Sequence, residues 1–142
     1  MEGFLGSWKL TSSSGFEKLM ERLGLEYVVR KGIIVAKPVV KITELASSPG
    51  TYNLKTTNTF RITEVQFRLQ EPFLETTLDG RKVKTVVTLD RDDTDGSWVL
   101  RQCQVGEKVT DIERRLLDAN TMKTTMRVEE LESIGIYQRQ PK

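Results

Sequence analysis

Few residues of this chain are of types that could do chemistry. It contains no histidine, so it lacks the commonest metal ligand and the side chain best suited to move protons near neutral pH. A serine or cysteine nucleophile activated by histidine is therefore excluded. Cys103 is the single cysteine, and a lone cysteine in a strand more often packs as a small hydrophobe than reacts as a thiolate. The carboxylates show no catalytic spacing, and we predict no enzyme, no metal site and no cofactor.

Length and charge narrow the class of protein further. The length of 142 residues is typical of one domain, and we predict a single domain over residues 1–142. The 22 basic and 20 acidic residues are interspersed rather than gathered into a basic stripe, so nucleic-acid binding is not expected. No basic region leads into an apolar run, and no run approaches the roughly 20 residues of a membrane span. We expect a soluble, cytoplasmic protein without an internal disulfide.

The first predicted helix has both of its ends marked. Ser14 followed three residues later by Glu17 fits a capping box, in which each side chain satisfies an unpaired backbone N–H. Gly24 suits the left-handed conformation that ends a helix. Between them, an i, i+3, i+4, i+7 spacing predicts one apolar helix face. This face consists of Phe16, Leu19, Met20 and Leu23.

The next segment, Tyr27 to Lys37, is rich in valine and isoleucine. We interpret it as a second helix because it lies between Gly24 and Pro38, which mark a helix end and a break. Periodicity alone would equally allow a strand. With the first helix it would form a helix-turn-helix cap over residues 15–37, followed only by strand-like sequence.

After Pro38 the chain shows short alternating segments separated by turn signals, which predicts a meander of antiparallel hairpins. The turn signals are Ser48-Pro49-Gly50, Asp79-Gly80, Asp95-Gly96, Asp118-Ala119-Asn120 and Glu129-Glu130. Alternation predicts that two sets of side chains share an inner face. These sets are Tyr52, Leu54 and Thr56, and Met122, Thr124 and Met126.

The predicted inner face is only moderately apolar. A dry sandwich core would favour leucine, isoleucine and valine, whereas interleaved threonine, glutamate and arginine suit a barrel interior that holds water and a ligand. The alternative is that threonines are there simply because they favour strands. The order of elements therefore suggests a β-barrel covered by a helical hairpin.

Motifs along nearly the whole chain resemble those of the intracellular lipid-binding proteins, a cytosolic, calycin-like family, and specifically its fatty-acid-binding proteins. The resemblance implies an all-β, ten-stranded antiparallel up-and-down barrel with a two-helix cap, which encloses one small hydrophobic ligand and performs no chemistry. The motifs are Phe4-Leu5-Gly6-Ser7-Trp8-Lys9-Leu10, Gly15-Phe16-Glu17, Leu19-Met20, Arg30-Lys31, Ala36-Lys37-Pro38, Thr59-Phe60-Arg61, Thr63-Glu64, Phe73, Glu75-Thr76-Thr77, Asp79-Gly80-Arg81-Lys82 and Ile136-Tyr137.

The resemblance also implies a site for the ligand's carboxylate, made in this family by two arginines and a tyrosine. One arginine corresponds to Arg114 and the tyrosine to Tyr137, whereas the second arginine falls on Gly135. A guanidinium suits a carboxylate in two parallel hydrogen bonds, and a buried one is costly without an anion or water. Without the resemblance, Arg114 would be interpreted as a solvated strand residue. Arg101 is a candidate replacement for the missing cation.

Further contacts are implied at the ligand's tail and at the portal through which it enters. Phe60 corresponds to the aromatic residue that gates the portal. Phe16 and Met20 are expected to pack in the core and also touch the tail, and Met126 is a possible contact. The other portal residues implied are Val29, Ile33, Leu78 and Asp79.

The first functional hypothesis is a monomeric carrier that moves a long-chain fatty acid through the cytosol and makes transient contact with membrane surfaces. The runner-up is a carrier of a retinoid, a bile-acid-like sterol or an acyl conjugate, which Gly135 keeps open. A third is a docking protein whose helical cap meets anionic lipid or a partner. Its basic residues would be Lys18, Arg22, Arg30 and Lys31, diluted by Glu17, Glu21 and Glu26.

Overall fold

The structure is a computed structural model that describes residues 1–24, 37–58, 62–77 and 80–141. Within them, a short 3₁₀ helix, one α-helix and ten strands follow one another along the chain. They are the 3₁₀ helix Glu2–Phe4, β1 Gly6–Ser14, α1 Phe16–Arg22, β2 Val39–Glu44, β3 Thr51–Thr57, β4 Ile62–Arg68, β5 Phe73–Thr76, β6 Lys82–Arg91, β7 Trp98–Val105, β8 Val109–Asp118, β9 Thr121–Val128 and β10 Leu131–Arg139.

The ten strands form one antiparallel sheet in the order β4-β3-β2-β1-β10-β9-β8-β7-β6-β5. Chain neighbours pair with each other, and β1 pairs with β10, so the sheet curves into an up-and-down barrel. The all-β, ten-stranded barrel predicted from the sequence is confirmed. Among the described residues no ladder joins the outer strands β4 and β5. The rings of Phe67 and Phe73 stack across this gap with centroids 6.0 Å apart.

The main hydrophobic core lies beside the 3₁₀ helix. Trp8 is completely buried, and its indole Nε1 donates to the carbonyl of Phe4 at 3.0 Å. The guanidinium of Arg139 lies 4.2 Å from the centre of the Trp8 ring. The same guanidinium donates to the carbonyls of Leu5 and Gly3 at 2.6 and 2.8 Å. The start of the chain is thereby joined to the last strand.

Helix α1 is shorter than predicted at its N-terminus, and the predicted capping box is wrong. Gly15 is the N-cap, with a left-handed φ of 74° and no side-chain cap hydrogen bond. Ser14 still pairs with Ile134 in the β1–β10 ladder, so it ends the strand instead of capping the helix. A Cβ at Gly15 would lie 2.4 Å from the carbonyl oxygen of Glu132, which explains why glycine is needed there.

The predicted apolar face of α1 is confirmed. Leu19 and Met20 are buried against Val128, with Phe16, Leu23 and Met126 packed around them. The C-terminal end follows the prediction as well, because Gly24 has a φ of 87°. The second predicted helix, residues 27–37, lies almost wholly outside the described residues. In the part of the chain that the structure describes, no helix is long and apolar enough to cross a membrane.

The loop 92–97, between β6 and β7, is held against the outer face of β8 by Arg115. Its guanidinium donates to Ser97 Oγ at 2.6 Å and to Asp92 Oδ2 at 2.9 Å. Hydrogen bonds from the side chain and backbone of Thr94, and then from Arg115, lower the pKa of Asp92 to about 2. Arg115 therefore points outward, as alternation along β8 predicts.

Candidate functional site

A cavity lies between α1 and the inner face of the barrel. Its empty space is about 790 Å³, counted together with its opening to solvent. The apolar part of its lining includes Phe16, Met20, Pro38, Val40, Leu54, Ile112 and Met126. The polar part includes Thr56, Thr63, Glu75, Thr77, Arg81, Gln102, Gln104, Arg114, Thr124 and Tyr137.

Arg114 lies on the inner face of β8, where it is only 7% exposed. Alternation along the strand puts it there together with Ile112, which is also buried. Its Nη1 donates to Gln102 Oε1 at 2.8 Å. Burial lowers the pKa of the guanidinium, and Tyr137 and Glu75 partly offset this effect. Among the described residues no carboxylate forms an ion pair with Arg114 within 4.0 Å, so its positive charge faces the cavity with only an amide as partner.

Tyr137 projects from β10 into the same cavity. Burial raises the pKa of its hydroxyl, and the nearby charge of Arg114 partly opposes the shift. The hydroxyl therefore stays neutral at neutral pH and can donate a hydrogen bond. Thr124 of β9 pairs with both Arg114 and Gly135, so it lies between these two positions in the sheet. A cation, a phenol and a hydroxyl thus line one part of the cavity.

The charge of Arg114 is connected to a second polar group, the partly buried Glu75, whose contacts the sequence analysis missed. Glu75 Oε1 accepts hydrogen bonds from Thr85 Oγ1 at 2.6 Å, Gln102 Nε2 at 2.8 Å and Gln104 Nε2 at 2.9 Å. Gln102 therefore links Arg114 to Glu75. Alternation along β7 could have indicated this network from the sequence, because it puts Leu100, Gln102 and Gln104 on one face and Arg101 on the other.

Nothing in this arrangement resembles a catalytic centre. In the described part of the chain, no group of three or more histidine, cysteine or acidic side chains could hold a metal ion. Burial and the neighbouring Asp111 raise the pKa of the Cys103 thiol, which disfavours the reactive thiolate. What the cavity brings together is a buried cation, Arg114, and a phenol, Tyr137, beside an apolar surface.

Residues 5–140 match the model of the lipocalin / cytosolic fatty-acid binding protein family. This chain belongs to that family. It is similar to fatty acid-binding protein homolog 1 of Echinococcus granulosus, with 38% identity over 138 residues, 96% of this chain and 97% of that protein. It is also similar to human fatty acid-binding protein 9, with 34% identity over 98% of each chain.

Solved structures of fatty-acid-binding proteins also superpose on this chain along nearly its whole length. The crystal structure of Echinococcus granulosus fatty-acid-binding protein 1 has a TM-score of 0.88 at 38% identity, covering 99% of this chain and 100% of that one. A Schistosoma mansoni fatty acid binding protein in complex with arachidonic acid has a TM-score of 0.88 at 34% identity, covering 99% and 98%. The resemblance inferred from the motifs is confirmed.

Gly135 marks where this member of the fatty-acid-binding family departs from the expected pattern. A Cβ built there would lie 3.0 Å from Leu10 Cδ1 and 3.4 Å from Tyr137 Cε1, so the position faces the interior. Beside it lies a pocket with about 430 Å³ of empty space, which we call the Gly135 pocket. Its lining residues are Leu10, Ser13, Phe16, Pro38, Thr124, Met126, Ser133, Gly135 and Tyr137.

The structure brings three of the predicted tail and portal residues to the cavity. Phe16, Met20 and Met126 line it next to the polar groups described above. Their role as ligand contacts stays a prediction. The remaining predicted portal residues lie outside the described residues. They are Val29, Ile33, Phe60, Leu78 and Asp79.

Arg101 does not replace the missing cation of the family's site. It is 49% exposed on the outer face of β7, where it forms ion pairs with Asp90 at 3.3 Å and Glu113 at 2.9 Å. Arg127 lies within 3.8 Å of the same Glu113. Because Leu100 and Gln102 occupy the inner face, strand alternation directs Arg101 outward. We therefore withdraw Arg101 as a candidate site residue.

Proposed function

We propose that this protein is a carrier that binds one long-chain fatty acid inside the barrel, with the carboxylate on Arg114 and Tyr137. The observation that carries the proposal is the buried guanidinium of Arg114, whose partner among the described residues is the neutral amide of Gln102. An anionic ligand would compensate a buried charge that Tyr137 and Glu75 offset only in part. The Schistosoma mansoni relative, which was solved with arachidonic acid, supports a fatty acid as the ligand class.

Burial of the acyl chain would provide most of the binding free energy. Each buried methylene contributes about 0.8 kcal/mol before the cost of ordering the chain is subtracted. Phe16, Met20, Leu54, Ile112 and Met126 supply the apolar surface for it. The carboxylate site would then decide which end of the ligand lies deepest and would discriminate against an uncharged alcohol.

The proposed carrier is non-enzymatic, acts as a single-domain monomer in the cytoplasm and makes only transient contact with membranes. The dispersed charge of the chain favours a lipid over a nucleic acid as its partner. A charged docking surface on α1 is less favoured, because Arg22 is ion-paired with Glu129 at 3.1 Å and Glu130 at 2.8 Å. Of the other basic residues of the predicted cap, Lys18 is exposed on α1, and Arg30 and Lys31 lie outside the described residues.

Displacement of a fluorescent fatty acid from the delipidated protein tests this function. We expect oleate to displace the probe at a concentration at least tenfold lower than retinol, because only the acid can pair with Arg114. Displacement by retinol as effective as that by oleate would contradict the carboxylate site. Absence of probe binding would contradict the ligand class.

The Gly135 pocket favours one second candidate, a carrier of acids with a bulkier head group, such as acyl conjugates or bile-acid-like sterols. Gly135→Arg would fill this pocket and add a cation close to Tyr137. We expect it to tighten oleate binding by about tenfold or more, as one charged hydrogen bond would, and to weaken binding of the bulkier acids. The measurement is probe displacement by each acid.

Gly135→Leu is the matched control, because it fills the same space without a charge. Both variants must move Leu10 by a few tenths of an ångström, since their Cβ atoms share the 3.0 Å contact. If Gly135→Leu excludes the bulkier acids without tightening oleate binding, the effect of filling the pocket is separated from the effect of the added charge. If neither variant changes the preference among head groups, the Gly135 pocket takes no part in ligand selection.

A further inference from the structure

One buried acceptor in the cavity is not used by the carboxylate site. Gln104 is 4% exposed and lines the cavity on β7. Its Nε2 donates to Glu75 Oε1 at 2.9 Å. Its Oε1 is buried and has no hydrogen-bond partner among the residues that the structure describes. An acceptor left unpaired in a buried site carries a free-energy cost, so a ligand that pairs it gains affinity.

The neighbouring hydrogen bonds fix which way the Gln104 amide faces. Turning it over would place Oε1 against the carboxylate of Glu75, so that two acceptors would face each other. Gln102 is fixed in the same way, because its Nε2 donates to Glu75 and its Oε1 accepts from Arg114. One N–H of each amide is therefore committed to Glu75, and the oxygen of Gln104 is turned away from that carboxylate. The atom of Gln104 that lacks a partner among the described residues is this acceptor.

Protein donors near Gln104 are engaged elsewhere. Thr110, its cross-strand neighbour on β8, accepts from Arg81 Nη1 at 3.5 Å. Thr85 donates to Glu75 at 2.6 Å. A donor for Gln104 Oε1 would therefore come from a molecule inside the cavity.

We propose that Gln104 Oε1 accepts a hydrogen bond from a hydroxyl group on the acyl chain, so that the cavity prefers hydroxylated long-chain fatty acids. The inference rests on the proposed function, since the carboxylate must be held at Arg114. Gln104 lies two residues along β7 from Gln102, the side chain that contacts Arg114, about 7 Å at roughly 3.3 Å per residue. This separation favours a hydroxyl farther along the chain rather than next to the carboxylate.

The test compares stearate with 2-hydroxystearate and 12-hydroxystearate in probe displacement from the delipidated protein. We expect 12-hydroxystearate to bind roughly three- to tenfold tighter than stearate, which is the range of one neutral hydrogen bond. The 2-hydroxy acid should gain nothing. In Gln104→Met the preference for the 12-hydroxy acid over stearate should vanish.

Gln102→Met is the matched control, because its Oε1 is already paired with Arg114. It should weaken stearate and 12-hydroxystearate alike and keep the preference. Should Gln104→Met not fold, 12-methoxystearate gives the same test on the wild type, since the ether keeps the oxygen but cannot donate. 12-Methoxystearate should then bind no more tightly than stearate.

Equal affinity of stearate and 12-hydroxystearate in the wild type would overturn the inference and leave the proposed function standing. A preference that survives in Gln104→Met, or that the methoxy acid reproduces, would overturn it as well. Failure of every acid to displace the probe would overturn the proposed function together with the inference.

Discussion

Replacing Arg114 with methionine is expected to weaken oleate binding by about 10- to 100-fold. Hydrogen bonds to a charged group are worth about 1.5–3 kcal/mol each, and one factor of ten corresponds to about 1.4 kcal/mol. Methionine keeps an unbranched apolar side chain of similar length on the inner face of β8, so the barrel should remain filled. Probe displacement by oleate gives the affinity directly.

Thermal unfolding provides an independent measurement of how Arg114→Met changes oleate binding. Burial lowers the pKa of the guanidinium, which means that the ligand-free protein holds this charge at a cost. Oleate should therefore raise the melting temperature of the wild type strongly and that of Arg114→Met only slightly. An equal rise in both proteins would contradict the carboxylate site at Arg114.

Arg101→Met is the matched control for this substitution. It makes the same chemical change on the opposite face of the sheet, where Arg101 is 49% exposed and pairs with Asp90 and Glu113. Oleate affinity should stay within about twofold of the wild type. A comparable loss of affinity in both variants would mean that the effect comes from net charge rather than from contact inside the cavity.

Replacing Trp8 with alanine is expected to destabilise the protein by about 3–5 kcal/mol, the usual cost of removing a large aromatic side chain from a core. Trp8 is completely buried and belongs to the main core cluster with Phe4, Ile42 and Met122. The substitution also removes the hydrogen bond to the carbonyl of Phe4 and the ring beneath Arg139. Urea unfolding of the delipidated protein measures the change in free energy.

Trp98→Ala is the control for Trp8→Ala, because it deletes the same side chain from a site that is 48% exposed. Trp98 has the guanidinium of Arg91 over its ring at 5.1 Å. We expect this variant to lose about 1 kcal/mol or less, in keeping with an exposed cation–π contact. Equal losses in the two variants would show that burial at the 3₁₀-helix end does not dominate the stability of the barrel.

Local patterns in the sequence were sufficient to predict the secondary-structure elements and the faces that they bury. The apolar spacing of Phe16, Leu19 and Met20 identified the buried side of α1, and Gly24 identified its end. Two-residue alternation placed Thr124 on the inner face of its strand together with Met122 and Met126. These features depend on neighbours within a few residues, so helix and strand periodicity alone determine them.

A local pattern was misleading where a longer-range contact competes with it. The pair Ser14 and Glu17 resembles a capping box, but β1 continues pairing with β10 through Ser14. The chain can turn into α1 only at Gly15, where the carbonyl of Glu132 leaves no room for a Cβ. The preference for strand pairing therefore determined the helix start, and no inspection of residues 14–17 alone could show it.

The partners inside the cavity were decided by the tertiary structure. Glu75 meets Gln102 and Gln104 across 27 and 29 residues of chain. Their meeting depends on the register of β5, β6 and β7 and on the curvature of the sheet. The sequence by itself determined the barrel, the family and the inward arginine, because the order of its motifs along the chain identifies the family. Only the pairing of β5, β6, β7 and β8 in the folded sheet decided that Arg114 is connected through Gln102 to Glu75 and that Gln104 keeps an unpaired acceptor facing the ligand space.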